Sequence, residues 1–79
     1  MKVTIKYFGL LTDITQKSEE ILFLEDTISL KNCLDILYSN YTNLSEFTFK
    51  IAVNQQIIDS DVSINENDIV ALMPPFAGG

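Results

Sequence analysis

The stretch that decides the fold spans residues 67–79 and has the sequence NDIVALMPPFAGG. Its apolar part, from Ile69 to Met73, has the length and composition of a strand that is buried on both faces. Pro74 and Pro75 then end the strand, because neither residue can donate a hydrogen bond to a neighbouring strand. The sequence therefore predicts a last strand over 69–73, followed by six residues that leave the sheet.

Other strands are indicated by apolar residues that alternate with polar ones. In the first strand, Val3, Ile5 and Tyr7 share one face while lysine and threonine occupy the other. A second strand is expected to pair with the first as an antiparallel hairpin with a long connection, and Asn54-Gln55-Gln56 is expected to form a tight turn. The predicted strands cover residues 2–7, 20–24, 49–53, 57–58 and 69–73.

One helix is predicted between the second and third strands. Its apolar residues recur at a spacing of three and four, which gives a stripe that faces a sheet. The stripe consists of Leu30, Cys33, Leu34, Leu37, Tyr38 and Tyr41. Asp26, Thr27 and Ser29 are the candidate N-caps. The segments 10–18, 40–45 and 59–68 show no strong period and are expected to be connections.

The order of elements is strand, strand, helix, strand, short strand, strand. This order predicts an α+β protein with a β-grasp, or ubiquitin-like, fold, in which a mixed sheet has one main helix packed on one face. The first and last strands are expected to lie side by side and parallel in the centre of the sheet. We expect a domain over residues 1–73 and a projecting C-terminal tail over residues 74–79.

Composition and charge narrow the function classes. The 79 residues are 47% hydrophobic, which suits one small globular domain. A formal net charge of -6 makes nucleic acid an unsuitable partner and suits a protein surface with a basic patch. No apolar run reaches membrane-spanning length, and the single cysteine cannot form an intramolecular disulfide. We therefore expect a cytoplasmic protein with no membrane contact.

The side chains offer few catalytic groups. There is no histidine, and Cys33 lies on the apolar stripe of the helix, where a buried core residue is expected rather than a nucleophile. The acidic pairs Glu19-Glu20, Glu25-Asp26 and Asp59/Asp61 lack the spacing of a calcium loop and are expected to be solvated surface. No metal site is predicted.

The tail is the remaining candidate. Gly78 and Gly79 have no Cβ, so their backbone can enter a channel that is too narrow for other residues. The Gly79 carboxylate is a poor electrophile, so acyl chemistry there requires activation, most simply as a mixed anhydride formed by a separate nucleotide-using enzyme. The plainer alternative is that Gly78-Gly79 is an inert chain end.

The chain resembles the small subunit of molybdopterin synthase over essentially its whole length, and three segments carry the resemblance. They are Tyr7-Phe8-Gly9, Ala52-Val53-Asn54-Gln55 and the run from Asn67 to Gly79 that includes Pro74-Pro75 and Gly78-Gly79. The last segment is the most specific of the three.

The resemblance implies a sulfur carrier in molybdenum cofactor biosynthesis. A ubiquitin-activating-like adenylyltransferase would use ATP to adenylate Gly79, which is then converted to a thiocarboxylate, and Gly78 would keep the tip slender. The tail would enter the large subunit of molybdopterin synthase and donate sulfur to cyclic pyranopterin monophosphate, forming the dithiolene. The implied complex is a dimer of large subunits with one small subunit at each end, and the carrier itself binds no cofactor. Phe8, Pro74, Pro75, Phe76 and Ala77 are the implied contacts with the large subunit.

Four positions depart from the family's common pattern. The family commonly has Ala at Gly9, Arg at Thr12, Gly at Asn67 and a smaller residue at Phe76. Asn67 is expected to replace glycine at a left-handed turn, and Thr12 and Phe76 are attributed to a co-adapted partner surface.

Three other functions stay open. They are a sulfur carrier for thiamin thiazole synthesis, which does not usually have Pro-Pro before its Gly-Gly end, a ubiquitin-like protein modifier, and an interaction module with a functionless tail.

Overall fold

The computed structural model describes residues 1–75. The strands are β1 (Lys2–Tyr7), β2 (Glu19–Phe23), β3 (Ile28–Ser29), β4 (Lys50–Val53), β5 (Gln56–Ile58), β6 (Ser63–Ile64) and β7 (Ile69–Met73). The helices are α1 (Leu10–Thr15) and α2 (Leu30–Asn40), and a short 3-10 helix covers Thr42–Glu46.

Five of the strands form one mixed sheet in the order β2-β1-β7-β4-β5. β1 and β7 are parallel, with Tyr7 opposite Leu72, and the other neighbours are antiparallel. β3 and β6 form a separate two-stranded ladder. The predicted fold class is confirmed, and β7 is the central strand of the large sheet.

α2 covers one face of this sheet and closes the core. Its buried residues Cys33 and Leu37 belong to the same apolar cluster as Ile5, Val70 and Leu72 on the central strands. Among the three candidate N-caps, Ser29 is the one used, since its Oγ accepts a hydrogen bond of 3.0 Å from the Asn32 N–H. The helix ends at Asn40, so Tyr41 is its C-cap rather than part of the last turn.

Three connections contain structure that the sequence pattern did not predict. α1 replaces the expected irregular segment after Gly9, a 3-10 helix replaces the turn near residue 43, and β6 lies within the polar stretch 59–68. Each is short and contributes few fully buried side chains, notably Leu44 and Ile64 at 0% exposure. Such short elements have no detectable hydrophobic period, and tertiary packing decides them.

The expectation that β7 is buried on both faces was wrong. Val70 and Leu72 are fully buried beneath α2, but Ile69 is 39% exposed on the opposite face. That opposite face also carries Ile21 and Ile57, which are exposed as well. Because the sheet is mixed and its main helix lies on one side, no element within residues 1–75 covers its other side.

Two turns use left-handed backbone without glycine. Asn54 and Gln55 have φ values of 51° and 72° and connect β4 to β5 as a two-residue hairpin. Asn67, with φ 67°, precedes β7 and donates its N–H to the Lys2 carbonyl at 2.7 Å. The predicted tight turn and the predicted left-handed conformation of Asn67 are both confirmed. None of the helices within residues 1–75 has the length and apolar character needed to cross a membrane.

Candidate functional site

The C-terminal end of β7 is held on both sides by neighbouring strands. Leu72 lies opposite Tyr7 of β1, and Met73 lies opposite Lys50 of β4. The Leu72 carbonyl also accepts the Phe8 N–H at 3.1 Å, one residue beyond the end of β1. The strand is therefore fixed up to the residue before Pro74, and the direction in which the chain leaves the sheet is set by the sheet itself.

Gly9 packs directly against the first proline. A Cβ built on Gly9 would lie 2.7 Å from Pro74 Cγ, which is too close for any other side chain without movement of the proline ring. Gly9 also has φ 58° and ψ -136°, a conformation that residues with a Cβ rarely adopt. Glycine at this position is thus explained by its backbone conformation and by the close approach of Pro74.

We call Phe8, Gly9, Met73, Pro74 and Pro75 the tail root. Phe8 is 46% exposed, and Met73 and both prolines are partly exposed. Leu10, at 56% exposure, extends this apolar surface into the first turn of α1. The structure therefore brings three of the predicted contact residues, Phe8, Pro74 and Pro75, together around the exit of the chain.

The other predicted site residues lie outside the described residues. They are Phe76, Ala77, Gly78 and Gly79. The predicted projection of the tail and the roles assigned to its four last residues therefore stay predictions.

Cys33 is a core residue, as predicted. Its side chain is 0% exposed, and burial raises the pKa of its thiol to about 11. A thiol with that pKa is almost entirely protonated at neutral pH, whereas the thiolate is the nucleophile in cysteine chemistry. Within residues 1–75 no group of three or more metal-binding side chains comes together.

A partly buried polar network near the tail root was not predicted. Tyr7, which is 2% exposed, and Tyr41 both donate their hydroxyls to Glu20 Oε2, at 2.5 and 2.6 Å. Lys17 Nζ lies 3.7 Å from the other oxygen of the same carboxylate. The network joins β1, β2 and the C-terminal end of α2 next to the strand end that carries Phe8.

The network corrects one part of the expectation that the acidic pairs Glu19-Glu20, Glu25-Asp26 and Asp59/Asp61 are solvated surface. Glu20 is partly buried, whereas Glu19, Glu25, Asp26, Asp59 and Asp61 are exposed. Burial, and then the hydrogen bond to Glu20, raise the pKa of the Tyr7 hydroxyl far above its usual value near 10. The alternation in β1 placed Tyr7 in the core correctly, but periodicity gives no signal that its hydroxyl needs a partner there.

Known proteins of the same architecture cover nearly the whole chain. A protein assigned as molybdopterin converting factor subunit 1 from Pyrococcus furiosus superposes with a TM-score of 0.88 at 21% identity, over 96% of this chain and 99% of that one. Small archaeal modifier protein 1 from Haloferax volcanii gives 0.82 at 17% identity over 100% of both chains. At these identities the likeness shows the fold.

A third similar structure is a complex of two different subunits. It is the complex of subunits 1 and 2 of the molybdopterin-converting factor from Helicobacter pylori, with a TM-score of 0.72 and 25% identity over 100% of both chains. In addition, residues 5–79 match the sequence pattern of the ThiS family. The matched residues include the tail root and the Gly-Gly pair. The chain therefore belongs to the ThiS family and has the ubiquitin-like β-grasp fold that its structural relatives share.

Proposed function

We propose that this protein is the sulfur-carrying small subunit of a molybdopterin synthase. The observation that carries the proposal is the tail root, where the central strand ends at Pro74-Pro75 and Pro74 packs on Gly9. The Gly-Gly pair that follows in the sequence lies inside the ThiS-family match. The likeness to subunit 1 of the Helicobacter pylori complex supports the pterin pathway rather than the thiamin pathway.

In this proposal the chemistry belongs to the Gly79 carboxylate. A carboxylate oxygen attacks the α-phosphate of ATP on a partner adenylyltransferase, and pyrophosphate leaves. Sulfide then attacks the acyl carbon as the nucleophile, the C–S bond forms as the bond to AMP breaks, and a thiocarboxylate is left. Transfer of this sulfur to the pterin precursor and hydrolysis of the acyl group return the carboxylate. The buried, protonated Cys33 is not a participant, and the protein binds no cofactor of its own in this scheme.

The tail root contributes orientation. Ordering a flexible backbone costs about 1–2 kcal/mol per residue. Pro74 and Pro75 have a fixed φ, and Pro74 is in addition backed by Gly9, so this part of the tail has little freedom to lose. Phe8 and Leu10 provide exposed apolar surface around the exit, which suits contact with the large subunit. Residues 74–79 then act as a tail on a domain formed by residues 1–73, in a cytoplasmic setting.

The test is intact-mass measurement of the purified protein after incubation with host cell extract, ATP and a sulfur donor. We expect a mass increase equal to the exchange of one oxygen for sulfur, confined to the C-terminal peptide. A variant with one residue appended after Gly79 is the control, because it keeps the fold and removes the free glycine carboxylate. An unmodified wild-type protein in an extract that sulfurates a known carrier would overturn the proposal.

Two additions to this experiment, a gel analysis of extract proteins and the supply of each sulfur acceptor, separate the other functions that share this fold. Isopeptide conjugates between Gly79 and lysines of extract proteins, without thiocarboxylate, would indicate a protein modifier. Transfer of the sulfur to a thiazole precursor, but not to cyclic pyranopterin monophosphate, would indicate the thiamin carrier.

A further inference from the structure

A groove between α2 and the outer strands of the sheet is a second surface with the features of a binding site. Its volume is about 310 Å³, and its apolar lining consists of Leu30 and Leu34 from α2, Ile51 from β4 and Ile58 from β5. None of the lining residues belongs to the tail root. The groove has room for one or two apolar side chains and is too small for a folded element.

β5 runs along this groove and is an edge strand of the sheet. Asn54 and Gln55 form the hairpin turn, and Val53 and Gln56 are the hydrogen-bonded pair that closes this turn. Hydrogen-bonded and non-hydrogen-bonded pairs alternate along an antiparallel ladder. The next residue of β5, Ile57, therefore directs its N–H and C=O away from β4. Within residues 1–75 no strand pairs with this outer edge. A peptide added here in extended form would place alternate side chains on the α2 side of the sheet, over the groove.

The charges at the rim of the groove specify the occupant. Asp59 and Asp61 are exposed; Asp59 follows β5 directly, and Asp61 lies two residues further along the chain. Asp61 is held in place because its Oδ1 accepts the Lys31 N–H at 3.0 Å. Lys31 contributes the one basic side chain to the lining, and the whole chain has a net charge of -6. The rim therefore favours lysine or arginine in a ligand and disfavours acidic residues.

We propose that β5 and this groove bind an extended peptide segment of a partner protein, with apolar side chains at alternate positions and basic residues beside them. The peptide forms a sixth strand next to β5, inserts apolar side chains between Leu34 and Ile58, and brings its basic residues to Asp59 and Asp61. The interaction is independent of tail chemistry, because the groove and the tail root share no residue.

The first test is an NMR titration of the full 79-residue protein, labelled with 15N, with the synthetic peptide KKVIVLKK. We expect the amide signals of Leu34, Ile51, Ile57 and Ile58 to shift most. The peptides EEVIVLEE and KKSNSNKK are the controls for charge and for apolar content, and each should bind at least about fivefold more weakly at low salt. Equal binding of all three peptides, or shifts spread over the uncovered sheet face, would overturn the proposal.

Two variants test the geometry. Ile57→Pro removes the outward N–H without removing a bond to β4, so it should abolish binding while the remaining amide spectrum keeps its dispersion. Asp59→Lys should weaken binding of KKVIVLKK about fivefold at low salt. Asp13→Lys is its matched control, since Asp13 is exposed on α1, outside the groove, and gives the same change in net charge. Equal weakening by both lysine substitutions would mean that only net charge matters and would overturn the site.

Discussion

The helix-covered face of the sheet and the tail root are built in different ways. Beneath α2, fully buried side chains such as Ile5, Leu37 and Leu72 fill one apolar core. At the tail root, by contrast, Pro74 packs against the backbone of Gly9. This close packing is possible because Gly9 has no side chain, since a Cβ there would lie 2.7 Å from Pro74 Cγ. The first region stabilises the fold, and the second sets the direction in which the chain leaves it.

This difference implies that substitutions in the two regions should lower stability to different extents. A substitution in the core removes apolar burial and affects the whole domain. A substitution at the tail root acts on a surface where Phe8 is 46% exposed, so it should lower the free energy of unfolding less than truncation of a core side chain does. The following substitutions test that difference and the contacts around the two regions, in order of decreasing expected effect.

Leu37→Ala should lower the free energy of unfolding by about 2–5 kcal/mol, because a fully buried leucine leaves a cavity when it is truncated. Urea denaturation monitored by circular dichroism measures this loss. Phe23→Ala is the matched control, since Phe23 is 78% exposed on the uncovered sheet face. Its effect should stay below about 1 kcal/mol, and equal effects of the two substitutions would contradict the assignment of the core to the α2 side.

Gly9→Ala should lower the free energy of unfolding by about 1–3 kcal/mol, because alanine is strained at φ 58° and its Cβ meets Pro74. A double-mutant cycle with Pro74→Ala separates the two causes. Removal of the proline ring should recover the part that is due to the contact and leave the part that is due to backbone strain. Strictly additive effects would show that Gly9 and Pro74 do not restrain each other.

Tyr7→Phe should make stability less sensitive to alkaline pH. The folded protein raises the Tyr7 pKa, so above about pH 10 the unfolded chain has lost this proton while the folded chain keeps it. Stability from this source is complete below pH 10 and falls by about 1.4 kcal/mol per pH unit above it. Urea denaturation from pH 9 to 11 should show a shallower decline for Tyr7→Phe than for the wild type. The Cys33 thiol contributes equally to both curves and cancels in the comparison, so identical slopes would contradict the raised Tyr7 pKa.

Asn67→Gly should change the free energy of unfolding by only a few tenths of a kcal/mol, because both residues tolerate φ 67°. Asn67→Val should cost about 1–2 kcal/mol, since a β-branched residue is strained in that conformation. Thermal denaturation of both variants measures the difference. A loss for Asn67→Gly as large as that for Asn67→Val would indicate that the Asn67 side chain, not its backbone, supports the turn.

The same comparison explains how far the fold could be predicted from the sequence. The alternation of Val3, Ile5 and Tyr7 and the stripe on α2 are repeated over several residues, so the sheet, its central parallel pair and the main helix could be predicted. α1 and β6 could not, because each depends on one or two buried residues whose partners are distant in sequence. Ile64 is an example, since its strand pairs with Ile28.

The candidate site was only partly predictable for a related reason. Pro74, Pro75 and Phe8 were identified from motif and resemblance, and the structure brings them to one place. The requirement for glycine at position 9 arises from a contact between residues 65 positions apart in the chain, which no local pattern reveals. The hydrogen bonds from Tyr7 and Tyr41 to Glu20 likewise join three separate elements.

The measurement that tests the central claim most directly is single-turnover sulfur transfer. Purified protein that has a thiocarboxylate at Gly79 is mixed with the host's large subunit and cyclic pyranopterin monophosphate, and the carrier's intact mass is followed with time. We predict that the mass returns to that of the unmodified carboxylate while sulfur appears in the pterin, and that both changes require the large subunit. A thiocarboxylate that persists in the presence of an active large subunit, with no sulfur in the pterin, would contradict the assignment to molybdopterin synthesis.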